Sequence, residues 1–282
     1  MFLVSRAWAA LLALGAGLPP ALAQDEVPFI TTPDRVTMAM LELAGVGAGD
    51  HVVDLGSGDG RIVITAARRF GASGLGVEIV PELVVRSRAS AQAAGVAARV
   101  EFREQDLFVT DLDRATVVTM YLLPEVNLQL RPRLLALAPG TRIVSHDWDL
   151  GDWQPDRSLT LEVPEKAIGR EKKSRVMLWV VPARLHGTWC SGTLRLRVEQ
   201  RFQRFSATLE ERGRAAPVVV FDGRIDGTRA ATDGGPTAQA RLRLVGDVLR
   251  LDSASHAAAA HAGRAFARSA ERAGAGPAGC AD

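Results

Sequence analysis

Three acidic residues, Asp54, Glu78 and Asp106, each close or follow a short stretch that reads as a strand. A carboxylate at the end of one strand can accept both hydroxyls of a ribose, and one beyond the next can meet the exocyclic amine of a purine. Around the first acid runs Val52-Val53-Asp54-Leu55-Gly56-Ser57-Gly58-Asp59-Gly60-Arg61. Its glycines permit positive φ and let a ligand touch bare backbone. A phosphate-cradling loop would end in Gly-Lys-Ser/Thr, and the chain continues Gly60-Arg61-Ile62. A dinucleotide turn needs a small residue where Arg61 stands. Asp54 and Asp59 would repel a pyrophosphate and attract a ligand with a cationic end. A turn that is merely tight is the remaining reading of the glycines alone.

These residues need elements to hold them. Residues 32–45 predict a helix, with Thr32 able to cap, Pro33 in the first turn and Gly45 as the stop. His51 to Leu55 reads as a strand and Ile62 to Phe70 as a helix. The alternation continues with a strand at 74–79, a helix at 81–94 and a short strand at 100–102. A strand at 117–122, a helix at 124–137 and a strand at 141–146 follow, with further strands at 159–163 and 175–181. Strands alternating with helices predict an α/β fold, a doubly wound and mostly parallel sheet with the ligand beyond its C-terminal strand ends.

The stretch Asp54-Leu55-Gly56-Ser57-Gly58-Asp59-Gly60, with Glu78 and Asp106, resembles the class I methyltransferases that use S-adenosylmethionine. The likeness covers about residues 29–182. It implies a seven-stranded Rossmann-like sheet whose last strand is antiparallel, with 175–181 as that strand. It also implies that Asp54, Gly56, Ser57, Gly58, Asp59 and Gly60 meet the methionine end of the cofactor, Glu78 the ribose, and Asp106 with Leu107 the adenine. GSGDGRIVI with the upstream FITTP is similar to a small group of protein-lysine methyltransferases. That closer likeness places Thr31 and Thr32 over the cofactor, against the reading in which Thr32 only caps a helix.

The same likeness puts the acceptor beside Tyr121-Leu122-Leu123-Pro124, with Tyr121 as a hydrogen-bond partner or wall. An Asn/Asp-Pro-Pro-aromatic segment, frequent in enzymes that methylate nucleic-acid amines, is not there, so no nucleic-acid partner is expected. His146 and Asp147, after the fifth strand, are candidates to take the amine's proton; a satisfied, buried histidine is the competing reading for His146. The expected function is methyl transfer to a protein lysine, or a small amine. The alternative is an exported binding protein that keeps the fold and uses its C-terminal unit for interaction. No metal is expected, since no His/Cys cluster has ligand spacing.

Beyond Pro182 apolar and polar residues alternate. Residues 185–252 predict a small antiparallel β domain, with Asp222-Gly223 and Gly246-Asp247 as turns. Its arginines at alternate positions read as a solvated outer face. Residues 253–282 are rich in Ala, Gly and Arg and predict a flexible tail. Cys190 and Cys280 read as two unrelated thiols. At the other end, Arg6, the apolar run Ala7 to Leu18 and Ala21-Leu22-Ala23 form the layout of a secretory signal over 1–23. A periplasmic or secreted protein follows, with an uncleaved tether as the alternative. The cofactor domain then spans 24–182, without a membrane span, and a monomer is expected. A net charge of only +2 argues against a chain built to coat nucleic acid.

Overall fold

Five short apolar runs, each followed by a turn and a helix or loop, build the centre of the first domain. In the computed structural model, which describes residues 30–167, 171–233, 238–269 and 280, these runs become parallel strands. The order is α1 (Asp34–Leu43), β1 (His51–Leu55), α2 (Arg61–Phe70), β2 (Ser73–Glu78), α3 (Pro81–Ala93) and β3 (Val100–Glu104). Then come β4 (Val117–Met120), α4 (Pro124–Leu134), β5 (Arg142–His146), β6 (Arg157–Glu162) and β7 (Lys173–Val180). The sheet has seven strands in the order β3-β2-β1-β4-β5-β7-β6. Strands β1 to β5 are parallel, and β7 lies antiparallel between β5 and β6. This is the expected doubly wound sheet with one antiparallel strand. β1 and β4 are buried almost throughout, as strands covered on both faces must be.

The chain order reverses between β1 and β4, the switch point where open α/β sheets bind ligands. Asp54, Tyr121 and His146 all stand at this C-terminal edge. β7 runs the other way, so the chain leaves the sheet at the opposite edge. There Gly140, ahead of β5, donates its N–H to the Val181 carbonyl at 2.8 Å.

A second unit hangs from that opposite edge. Strands β8 (Gly187–Ser191), β9 (Leu194–Arg201), β10 (Arg204–Glu211), β11 (Val219–Asp226), β12 (Arg229–Thr232), β13 (Ala240–Val245), β14 (Val248–Ala254) and β15 (Ala265–Arg268) form a closed antiparallel barrel. Trp189, Phe205, Phe221, Leu249 and Phe266 fill its interior, so it is a packed core rather than a ligand cavity.

Three expectations are corrected here. Residues 253–268 are not a tail: β15 bridges β14 and β8, and Phe266 is fully buried. Closure pairs two strand edges that would otherwise expose their N–H and C=O groups. Cys190 and Cys280 are not unrelated thiols; they form a disulfide. Asp222-Gly223 is not a turn but part of β11, paired with β10 and, at Gly223, with β12; the glycine there answers a close approach, since a Cβ would lie 2.1 Å from the Ala231 carbonyl oxygen. Gly246-Asp247 does lie between β13 and β14. The signal segment 1–23, and residues 270–279 and 281–282, lie outside the described residues.

The barrel is joined to the sheet domain by its β9–β10 turn. Phe202 stacks on Trp153 at 6.0 Å between ring centroids. Gln203 Nε2 donates to the Gln154 carbonyl at 2.6 Å, and Arg201 pairs with Asp152 at 3.1 Å. Ala183 N donates to the Gly227 carbonyl at 2.7 Å. Among the described residues no helix is long and apolar enough to cross a membrane.

Candidate active site

Gly56, Gly58 and Gly60 all take positive φ, at 73°, 54° and 80°. At Gly60 a side chain is excluded twice over: a Cβ would lie 2.7 Å from the Phe102 ring and 2.9 Å from Ser87 Cβ. The turn is wrapped so tightly that its own N–H groups are largely spent. Gly56 and Ser57 donate to the Val77 carbonyl at 3.0 and 2.9 Å, and Gly60 donates to the Ser57 carbonyl at 2.9 Å. Gly58 N donates to Glu78 Oε2 at 2.9 Å. A phosphate would need those N–H groups free, so the turn is poorly suited to one.

The acids behave differently from one another. Asp54 is 2% exposed and accepts from Thr119 Oγ1 at 2.7 Å. Burial, reinforced by the nearby charges of Glu78 and Asp59, pushes its carboxyl up to about 7; the Thr119 hydroxyl opposes this. Among the described residues no cationic side chain pairs with it. Asp59 is not a free acid facing the ligand. Burial pulls its carboxyl upward, but Arg61 grips it with Nε and Nη2 at 2.9 and 2.7 Å and holds it below the usual range. The same guanidinium donates Nη1 to the Thr32 carbonyl at 3.0 Å, strapping the segment before α1 to the glycine turn. Glu78 Oε1 accepts from Ile79 N and Val80 N at 2.8 and 3.1 Å. Asp106 Oδ1 accepts from Phe108 N at 2.8 Å and so shapes the turn that carries Leu107. Arg133 of α4 donates to the Leu107 carbonyl at 3.1 Å.

Ser57 packs beneath the turn instead of into the cleft. A Cβ at Gly76 would come within 2.7 Å of Ser57 Oγ, and that hydroxyl is buried without a partner.

Thr32 does not cap α1, whose N-terminal residue before the helix is Pro33. Its hydroxyl instead meets His146 Nδ1 at 3.3 Å. Thr31 is half-buried beside it. His146 is fully buried, and its Nε2 meets Ser174 Oγ at 2.9 Å. Burial pushes the imidazole down to about 4, with Asp147 opposing and Lys166 adding to the shift. It is therefore neutral near pH 7, with both nitrogens engaged, as the satisfied-histidine reading has it. Its ring lies 3.9 Å from that of Tyr121, tilted by 31°. Burial, and then the charge of Asp147, raises the Tyr121 hydroxyl. Asp147 has φ of 64°. Its Oδ2 accepts from Lys166 Nζ at 2.6 Å and its Oδ1 from Arg175 N at 2.9 Å.

The fold thus brings Thr31, Thr32, Tyr121, His146 and Asp147 to one side of the cleft. Asp54, Glu78, Asp106 and Leu107 line the strand ends on the other. Thr119, Arg61, Arg133 and Ser174 escaped sequence reasoning. Arg61 alone carried a local signal, as a cation two residues from Asp59.

The cleft is acidic, offers few unspent N–H groups and holds a buried carboxylate without a counter-cation. Residues 54–157 match the family model described as the ANTKMT methyltransferase domain. A protein-lysine N-methyltransferase of Saccharolobus islandicus (strain REY15A) is 44% identical over 138 residues, covering 48% of this chain and 86% of the relative. The chain belongs to this methyltransferase family. It is an S-adenosylmethionine-dependent methyltransferase, and the buried Asp54 carboxyl, without a counter-cation, is compatible with the cationic end of that cofactor. A methyltransferase of Salinibacter ruber, solved with S-adenosyl-L-homocysteine and described as an RNA methyltransferase, is 52% identical. It covers 55% of this chain and 96% of its own, with a TM-score of 0.51. The adenine nucleotide translocase lysine N-methyltransferase of Mus musculus is 37% identical over 149 residues, 52% of this chain, and the chain spans only 64% of its length. The family match ends before the barrel begins.

Proposed function

We propose that this methyltransferase acts on the side-chain amine of a protein lysine. The observation that carries the reading is the 44% identity to the archaeal protein-lysine N-methyltransferase across nearly all of that relative. When bound, S-adenosylmethionine supplies a methyl group on a sulfonium. The chain's own residues hold, orient and exclude. Asp54, backed by Thr119, receives the cationic end of the cofactor. Arg61 holds the Thr31-Thr32 segment across the turn, and Tyr121, braced by His146, walls the acceptor side. An in-line displacement needs this positioning more than it needs a strong acid or base. The amine's proton leaves toward Asp147, since the neutral His146 has both nitrogens occupied. Exposed Ile79, Phe108, Val109, Leu123 and Trp148 ring the strand ends, a rim suited to a polypeptide.

A second reading is favoured by the Salinibacter ruber relative, described as acting on RNA at 52% identity. Against it stands Tyr121-Leu122-Leu123-Pro124 where amine-methylating nucleic-acid enzymes often carry Asn/Asp-Pro-Pro-aromatic. Labelled S-adenosylmethionine offered with a protein extract and with total RNA decides between them. Label in protein lysine is expected; label confined to RNA would overturn the lysine reading.

We further propose that the chain is exported on residues 1–23. The disulfide supports an oxidising compartment. A reporter active only in the periplasm, fused after residue 30, is expected to be active; a silent reporter on a stable fusion would refute export.

A further inference from the structure

Of the 34 lysines and arginines, only three are lysines: Lys166, Lys172 and Lys173. All three fall at the β6–β7 connection or its border. The register of β5 on β7 sets His146 opposite Val176, so this connection shares the sheet edge that carries the active site. Lys166 is the member built into that site. Its side chain is 12% exposed, and Nζ lies 2.6 Å from Asp147 Oδ2. That same oxygen is 3.5 Å from His146 Nε2, and the His146 ring packs on Tyr121. Lys172 Nζ turns back to the Lys166 carbonyl, and Lys173 is half-exposed beside Glu162 at 3.4 Å.

We propose that Lys166 is a methyl acceptor of its own active site, a self-methylation that rests on the lysine reading above. Everywhere else the chain carries its positive charge on arginine. A guanidinium stays protonated, so on the lysine reading self-transfer is confined to this connection. The amine gives one proton to Asp147 and thence to water. Its lone pair then forms the Nζ–C bond as the cofactor's S–C bond breaks, leaving a thioether and a methylammonium that keeps its positive charge. Each methyl replaces one of the ammonium N–H groups, which serve Asp147 and the Lys173 carbonyl, and a trimethylated Lys166 can donate to neither.

Cleavage after arginine separates the candidates: the segment 158–170 holds Lys166 alone, and 171–175 holds Lys172 and Lys173. Mass spectrometry of the full chain, as purified and after incubation with deuterated S-adenosylmethionine, reads the modification directly. We expect one to three added methyl groups on 158–170, at a rate independent of protein concentration. An amine held beside the site should outpace free ones by roughly tenfold or more over 171–175. Lys166→Arg should lose the label while calorimetry still detects cofactor binding, which shows that the variant is folded. Methyl groups only on 171–175, or none on the chain while an added protein is methylated at lysine, overturn the inference and leave the lysine reading standing. A chain that binds the cofactor but methylates no lysine, its own or added, overturns both.

Discussion

Asp54 shows how burial without a counter-cation prepares a site. Its carboxyl is moved from 3.8 to about 7, a shift worth on the order of 4 kcal/mol. The folded chain holds this proton more tightly than the unfolded one. The group therefore favours folding most at low pH, and that contribution is lost as pH rises from about 4 to about 7. A cation placed beside the carboxylate reverses the sense, because it favours the ionised form. Cofactor binding is thus expected to release up to one proton near neutrality and to tighten from pH 6 to pH 8, by roughly tenfold at most. Calorimetry in buffers of different ionisation enthalpy measures this, and Asp54→Asn should flatten the dependence. A proton uptake on binding would contradict it. Asp54, Glu78 and Asp106 were legible in the sequence because each sits at a strand end. That Asp59 is neutralised by Arg61 was not, since spacing cannot say which of two neighbouring acids an arginine will grip.

At the scale of elements, the glycine turn and α2 act as one piece. Gly60 ends the turn with φ of 80° and lies against Phe102 of β3. Gly60→Ala must strain the backbone and displace a buried ring, so a loss of about 2–4 kcal/mol is expected. Denaturant unfolding checks this, and a change below about 0.5 kcal/mol would mean that the turn relaxes freely. The parallel strands could be read from apolar runs punctuated by glycine, and β7 was correctly taken as the antiparallel one. The role of Thr32 was not readable, because its partner His146 lies 114 residues away. Residues 253–268 misled for a compositional reason. β15 is Ala265-Phe266-Ala267-Arg268, and a strand with one large apolar side chain looks like a tail until its two neighbours are known.

At the scale of the molecule, the cofactor domain and the barrel have separate cores, and the barrel leaves from the edge opposite the cleft. The Cys190–Cys280 bridge closes a loop with a sequence separation of 90 residues that contains every barrel strand after β8. Loop closure of that length is worth up to about 4–5 kcal/mol in the chain-entropy model. Reduction, or Cys190→Ser with Cys280→Ser, is expected to lower the barrel's thermal transition and to leave S-adenosylmethionine binding within about twofold, since the cleft is remote. Loss of binding in step with the barrel transition would show that the two units unfold together.

Among the described residues, the closing strand of the barrel is also the last strand. During synthesis the sheet domain has all seven of its strands long before β15 emerges. Until then β14 and β8 are open edges, which invite pairing with other chains. The barrel therefore matures late, whereas the cofactor cleft is complete early. A chain held unfolded until after transport would escape that interval of exposed edges, because all its strands would become available together.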